Sequence, residues 1–159
     1  MFEIKKRNAL SGAYSEQPHV INAPLVVSET IDGEAIIMHH GTGRYFDIRD
    51  SGALIWSAIE TGAAPAQISA HLAAAYGLAA AEASDMVDAF IQTLLAHDLV
   101  RADPEVVPGP LPASLPVTAP FQPPVLGVHD DLADMLLLDP IHDVDEVGWP
   151  APRSPDASA

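Results

Sequence analysis

Two groups of side chains in this sequence have the residue types of metal ligands. One is the adjacent pair His39 and His40, and the other is an acidic run between residues 139 and 146. Neighbouring residues of a strand point to opposite faces of the sheet, so we predict a partly exposed histidine pair beside a turn, with no bound metal. The acidic run lacks the ligand spacing of a calcium loop, and we interpret it as a docking motif. It contains Asp139, His142, Asp143, Asp145 and Glu146.

No arrangement of residues typical of catalysis stands out in the chain. There is no glycine-rich loop between a strand and a helix, and no serine–histidine–aspartate or paired-carboxylate pattern. The sequence has no cysteine, which excludes thiolate nucleophiles, disulfides, and zinc or iron sites built on thiolates. We therefore predict a protein that is not an enzyme and that uses no cofactor.

The net charge is strongly negative, with 22 acidic and 7 basic residues giving −15. Proteins that bind nucleic acid need a basic face to displace the counterions of the phosphates, and this sequence lacks one. No apolar run is long enough to span a bilayer, and the first residues lack the apolar core of a signal peptide. We expect a cytoplasmic protein with neither a nucleic-acid nor a membrane partner.

The elements that would position a binding site begin with three predicted strands. Asp32-Gly33 separates two apolar-rich runs and predicts a two-residue hairpin, because both central positions of a type I′ turn need positive φ. Gly41-Thr42-Gly43 predicts a second reversal, and Arg44–Ile48 alternates as a half-buried strand does. The predicted fold class is α+β, with a three-stranded antiparallel sheet whose third strand is an open edge.

Three helices are predicted after the sheet, in a winged-helix-like order. Asp50-Ser51 can cap the first helix, which ends at Thr61-Gly62, and the second helix extends from Pro65 to Gly77. The third helix has an apolar stripe wider than a three-stranded sheet covers, which predicts a groove beside the third strand. The stripe consists of Met86, Val87, Phe90, Ile91, Leu94 and Leu95.

On these residues, the segment from Leu25 to Arg101 resembles the PqqD-like peptide chaperones, also called RiPP recognition elements. Such modules serve the biosynthesis of ribosomally made, post-translationally modified peptides. Arg49-Asp50 departs from the family pattern, in which asparagine often enters the first helix. The resemblance rests on Asp32-Gly33, Gly43–Ile48, Ser51-Gly52, Ile55-Trp56, Thr61-Gly62, Ile68, Phe90, Leu94, Leu95 and Asp98-Leu99-Val100.

The open edge predicts that an extended peptide adds as a fourth strand, with alternate side chains against the third helix. The family resemblance implies the same binding mode for a leader peptide. Arg44 and Arg49 are predicted to pair with acidic leader residues at the two ends of the strand. The predicted peptide-binding residues are Arg44, Tyr45, Phe46, Asp47, Ile48, Val87, Phe90, Ile91 and Leu94.

Composition divides the chain into five predicted parts. Residues 1–23 are irregular, 24–102 form the peptide-binding domain, and 103–127 form a linker in which eight prolines precede residue 125. Residues 128–150 form an acidic and hydrophobic docking tail, partly helical, and 151–159 form a disordered end. The predicted docking residues are Leu132, Met135, Leu136, Ile141, His142 and Trp149.

Together these features predict a non-catalytic peptide-binding chaperone that presents a precursor's leader to a modifying enzyme. The tail more loosely resembles the endings of PqqD-like proteins encoded beside relatives of HPr kinase, which suggests an enzyme of that kind. We expect a monomer or a weak dimer. Three alternatives stay open: a recognition element fused to its own modified C-terminal segment, an adaptor whose tail docks in its own groove, and a small transcriptional regulator, which the charge disfavours.

Overall fold

The computed structural model describes residues 17–130 apart from Ser114 and Pro116, and within them the chain forms six strands and three helices. The predicted docking residues from Leu132 to Trp149 and the acidic run lie outside these described residues. The strands are β1 (His19–Ile21), β2 (Val26–Ile31), β3 (Glu34–His39), β4 (Arg44–Ile48), β5 (Val100–Ala102) and β6 (Leu126–His129). The helices are α1 (Asp50–Glu60), α2 (Pro65–Tyr76) and α3 (Ala80–Ala96).

The main sheet has four antiparallel strands in the order β2-β3-β4-β6, so the prediction of a three-stranded sheet is wrong. The fourth strand comes from the chain that follows the proline-rich segment. It pairs with the edge of β4, whose backbone N–H and C=O groups would otherwise lack protein partners. The α+β class, the three helices and the antiparallel order of β2, β3 and β4 are confirmed. The winged-helix-like arrangement stays a prediction.

A second, two-stranded sheet joins the start of the described chain to the segment that follows α3. β1 pairs antiparallel with β5, with Val20 opposite Arg101. The sequence predicts irregular chain up to residue 23, whereas His19–Ile21 form a strand. This strand is three residues long, which is too short to produce a recognisable alternation of apolar and polar residues.

Both predicted turns of the main sheet are present. Asp32 and Gly33 have φ values of 51° and 80°, and they connect Ile31 to Glu34 directly across the hairpin. The second turn connects the pair His39 and Arg44. Positive φ at both central positions is the condition of the type I′ turn that the sequence predicts.

The helices end where the sequence predicts, but one predicted cap is wrong. Gly77 ends α2 in the left-handed region, with φ of 66°. At the start of α1, the N-cap is Arg49 and no side chain caps the free N–H groups. The Ser51 hydroxyl instead donates a hydrogen bond to the carbonyl of Gln122, which lies just before β6.

The core lies between the main sheet and the three helices. Trp56 of α1 is fully buried there, with Phe46 and Ile48 from β4 and Ile37 from β3. The buried side of α3 contributes the predicted stripe, so most of that stripe is ordinary core packing. The longest described helix has 17 residues, and within the described part of the chain no helix is long and apolar enough to cross a membrane.

His19 of β1 predicts a pH dependence of stability. Burial lowers the pKa of His19 below its ordinary value of 6.5, although the backbone of Gln17 and the negative charge of Asp88 oppose the shift. The unfolded chain therefore binds a proton at a higher pH than the folded chain does. A neutral His19 therefore contributes to the free energy of unfolding above about pH 6.5, and this contribution is lost as the pH falls below that value.

We expect the urea midpoint of unfolding to fall between pH 7.5 and pH 5, and His19→Leu to reduce the steepness of this fall. Substitution of the exposed His40 by leucine is the matched control and should leave the steepness unchanged. The same dependence in His19→Leu and in the natural chain would contradict the assignment to His19.

Candidate functional site

The outer edge of β4 carries a strand from a distant part of the chain. β6 lies antiparallel to β4, with His129 opposite Tyr45 and Leu126 opposite Ile48. The sequence predicts that an extended peptide adds at this edge, and in the structure the added strand is residues 126–129 of the chain itself. The edge is therefore able to accept a strand, and its backbone groups are already paired within the molecule.

The side chains of β6 alternate between the two faces of the sheet. Leu126, opposite Ile48, is half-buried and packs against the core. Gly127 lies opposite Asp47, and a side chain at this position would overlap the Asp47 carboxylate. Val128 is 41 % exposed, so Leu126 is the main apolar anchor of the strand.

Polar contacts hold the end of β6 on the outer face of the sheet. The ring of His129 lies 5.3 Å from the ring of Tyr45, and its Nε2 contacts the Asp47 carboxylate. One residue further on, Asp130 Oδ1 lies 2.8 Å from Arg44 Nε, and both side chains are largely exposed. Exposed ion pairs contribute about 0 to 1 kcal/mol, so these contacts fix the register more than they add strength.

The residues that lead into β6 lie along the helices. The ring of Phe121 is 4.8 Å from the ring of Tyr76 at the end of α2, and the Gln122 carbonyl accepts the hydrogen bond from Ser51 of α1. Two prolines then cross α3 and form a shallow groove with it. This groove is lined by Met86, Ala89, Phe90, Thr93, Pro123 and Pro124.

The predicted peptide-binding residues on β4 divide by face. Phe46 and Ile48 are buried in the core. Tyr45 and Asp47 face outward, are half-buried, and contact His129. The predicted residues on α3 are all buried in the core; these residues are Val87, Phe90, Ile91 and Leu94. Of the four, Phe90 also lines the groove beside the prolines.

The two arginines of the predicted site have different partners. Arg44 pairs with the carboxylate of Asp130, the residue that directly follows β6. Arg49 donates to Glu34 Oε1 at 2.8 Å, and this hydrogen bond raises the pKa of the guanidinium. Arg49 is therefore engaged by the neighbouring strand of the sheet, whereas Arg44 is positioned at the end of the added strand.

Sequence reasoning missed the residues that occupy the edge, because it assigned them to the linker and to the start of the tail. The signal that could have identified them is short: Leu126 and Val128 alternate with Gly127 and His129, directly after two prolines. Four residues give too few repeats of the alternation to predict a strand, and their partner strand lies about 80 residues earlier in the chain.

The histidine pair differs from its prediction. His40 is exposed, but His39 is only 3 % exposed and contacts a carboxylate, with Nε2 3.3 Å from Asp98 Oδ2. Its Nδ1 accepts hydrogen bonds from the backbone N–H groups of Gly41 and Thr42, which places the ring proton on Nε2. His39 thus joins the second turn to the end of α3. Among the described residues, no group of three or more potential ligands is placed to hold a metal ion.

Comparison with known families identifies the middle of the chain. Residues 34–100 match the family model described as coenzyme PQQ synthesis protein D (PqqD). This segment is a PqqD-family domain. The chain is also similar to a solved structure described as "TbiB1 in Complex with the TbiA(beta) Leader Peptide", with 30 % sequence identity and a TM-score of 0.49. The matched region covers 52 % of this chain and 94 % of that one. No curated protein is significantly similar to the chain.

The matched range of the PqqD domain contains β3, β4 and all three described helices. β6 lies outside it, more than 20 residues beyond its last position. The strand that occupies the edge of β4 therefore comes from the segment that follows the matched range.

Proposed function

We propose that this protein binds the leader of a ribosomally made precursor peptide as an extended strand on the edge of β4, and that it presents the peptide to a modifying enzyme without catalysing a reaction itself. The observation that carries the proposal is the pairing of β6 with β4, in which an extended segment occupies the edge from Tyr45 to Ile48. The PqqD-family domain supports it, since the family resemblance implies leader binding.

At the edge of β4, backbone groups would supply the affinity for a peptide and side chains would supply the selectivity. Backbone hydrogen bonds to β4 form with almost any sequence and supply affinity, whereas side-chain contacts select the register. Met86 and Phe90 offer an apolar wall beside the edge, and Arg44 offers a cation at its end. An extended segment with apolar residues followed by a carboxylate fits these contacts.

Presentation would act through proximity. A second contact with the enzyme, made by the acidic and hydrophobic tail at residues 128–150, would raise the effective concentration of the bound peptide at the enzyme. We propose an enzyme related to HPr kinase as this partner, on the looser resemblance of the tail. The alternative of a self-docking adaptor is favoured by one observation, which is that β6 already occupies the edge.

The test is fluorescence anisotropy of a labelled leader peptide, chosen from a short open reading frame beside this gene and titrated with the full chain. We expect binding in the micromolar range, weakened at least about tenfold by Met86→Asp, because a charge in the apolar groove loses hydration when the peptide covers it. Gln92→Asp places the same charge on an exposed position of α3 and is the matched control.

Circular dichroism checks that both variants are folded. Absence of leader binding by the full chain, and also by a variant in which β6 is weakened, would contradict the proposed function. Equal weakening by Met86→Asp and Gln92→Asp would place the peptide elsewhere on the molecule.

A further inference from the structure

We infer that residues 122–130 are an intramolecular stand-in for the peptide ligand, and that a peptide reaches the edge of β4 by exchanging with β6. The inference rests on the proposed function, because it concerns the same edge. It depends on three properties of the described residues: how weakly β6 is held, how its connection to the domain favours it over a free peptide, and which side chains match β4.

β6 is held more weakly than the other strands of the main sheet. It pairs over four residues, whereas β2 and β3 pair over six. Val125 and Val128 are 68 % and 41 % exposed, and His129 and Asp130 are also exposed. An element with little buried apolar surface opens at a low free-energy cost, so β6 can leave the edge while the core stays folded.

The covalent connection nevertheless favours β6 over a free peptide. A tethered segment has an effective concentration on the order of millimolar, so a micromolar peptide that makes the same contacts does not displace it. The apparent affinity of the edge for any peptide falls in proportion to the fraction of molecules in which the edge is open. The leader must therefore bind β4 better than β6 does, or the enzyme must release β6 first.

The contacts of β6 define the class of ligand. The residue opposite Ile48 is aliphatic, and the next residue, opposite Asp47, is glycine, where a Cβ atom would require the Asp47 carboxylate to move. Three positions after that glycine, Asp130 reaches Arg44. The structure therefore points to an extended peptide with an aliphatic residue, then a small residue, and an acidic residue three positions later.

The first test weakens β6 in the full chain and supplies its sequence as a separate molecule. The probe is a fluorescein-labelled synthetic peptide of residues 120–130, PFQPPVLGVHD. Leu126→Asp removes the apolar anchor of the tethered strand, and we expect this variant to bind the probe at least about tenfold more tightly than the natural chain does. Val125→Asp adds the same charge at an adjacent, exposed position and should not change the affinity.

The second test locks β6 in place. Because the chain has no cysteine, the pair Tyr45→Cys and His129→Cys, directly opposite on the outer face, can form a single disulfide. We expect no probe binding to the oxidised form of this pair in the Leu126→Asp background, and recovery after reduction. The matched control is Val27→Cys with Met38→Cys, an opposed pair of β2 and β3 on the same face, whose oxidation should not change binding.

Each outcome decides the inference. Equal binding by the oxidised and reduced β4–β6 pair would overturn it, because the peptide would then add elsewhere, such as the outer edge of β6. Absence of probe binding by every variant would also overturn it, since the segment would not be a ligand on its own. If the probe behaves as expected and the leader binds none of these variants, the exchange of strands stands and the choice of ligand under the proposed function fails.

Discussion

Replacement of Trp56 by alanine is expected to lower the free energy of unfolding by about 3 to 5 kcal/mol, the range for deletion of a large buried aromatic side chain. Trp56 is 0 % exposed and belongs to the core cluster that joins α1 to the sheet. Its Nε1 donates to Glu60 Oε1 at 3.0 Å and also lies 3.3 Å from Ser28 Oγ of β2. The substitution would therefore leave a large cavity and remove a polar link between helix and strand.

The effect is large relative to the total stability of a small domain, which is typically about 5 to 15 kcal/mol. Urea unfolding followed by circular dichroism at 222 nm would measure it. Trp56→Phe keeps most of the buried volume but loses the N–H donor, so we expect a clearly smaller loss. Ile31→Ala, at a strand position that is 55 % exposed, is the control and should change stability by no more than about 0.5 kcal/mol.

The consequence for the candidate site follows from the shared core. Phe46 and Ile48 present their side chains to the same cluster as Trp56, while the backbone of these residues forms the edge that carries β6. A loosened core should therefore weaken the pairing of β6 as well. If Trp56→Ala unfolded at the same urea concentration as the natural chain, the placement of Trp56 at the centre of the core would be wrong.

The elements that could be predicted from the sequence are those with local signals. Asp32-Gly33 specifies its turn because few residues adopt positive φ at two successive positions, and Gly77 specifies the end of α2 for a similar reason. α3 has enough turns for its apolar stripe to repeat several times. Each of these signals depends on residues within one element, so a single sequence is sufficient to read it.

The elements that could not be predicted depend on pairing between distant residues. β1 and β6 have three and four residues, and each is stabilised by a strand about 80 residues away in the chain. The prolines before β6 predict extended chain, but they do not predict that it lies along α3. His39 shows the same limit, since its carboxylate partner, Asp98, is 59 residues away.

At the predicted open edge of β4 the sequence anticipates an added strand but not the segment that supplies it, and the choice of peptide-binding residues stays a prediction. The edge of β4 was predicted because three strands followed by helices leave one edge open, and the structure places a strand there. The sequence does not predict that β6 is the added strand, because a short apolar segment after a proline-rich run carries no signal for the edge with which it pairs. The sequence predicts an α3 stripe wider than the sheet covers, and partly buried Leu111 and Leu115 of the linker also pack against the core.

Gly52 predicts the second large effect, because it lies where α1, β4 and the linker meet. A Cβ atom at this position would lie 2.6 Å from Ile48 Cγ2, 3.4 Å from Phe90 Cζ and 3.6 Å from Pro124 Cα. Alanine usually stabilises a helix relative to glycine by about 0.5 to 1 kcal/mol. Here the overlap with a buried, branched side chain should reverse the sign, and we expect Gly52→Ala to lower the free energy of unfolding by about 1 to 3 kcal/mol.

The overlap should also act on the candidate site, since Ile48 can yield only by displacing β4 or the segment that covers it. We therefore expect faster amide hydrogen exchange in residues 126–129 of Gly52→Ala than in the natural chain, with exchange in β2 and β3 changed less. Ser57→Ala, in the same helix but only half-buried, is the matched control and should leave exchange in β6 unchanged. A Gly52→Ala protein more stable than the natural chain would mean that α1 does not pack this closely on Ile48. The support of β6 by α1 would then come from the hydrogen bond between Ser51 and Gln122 alone.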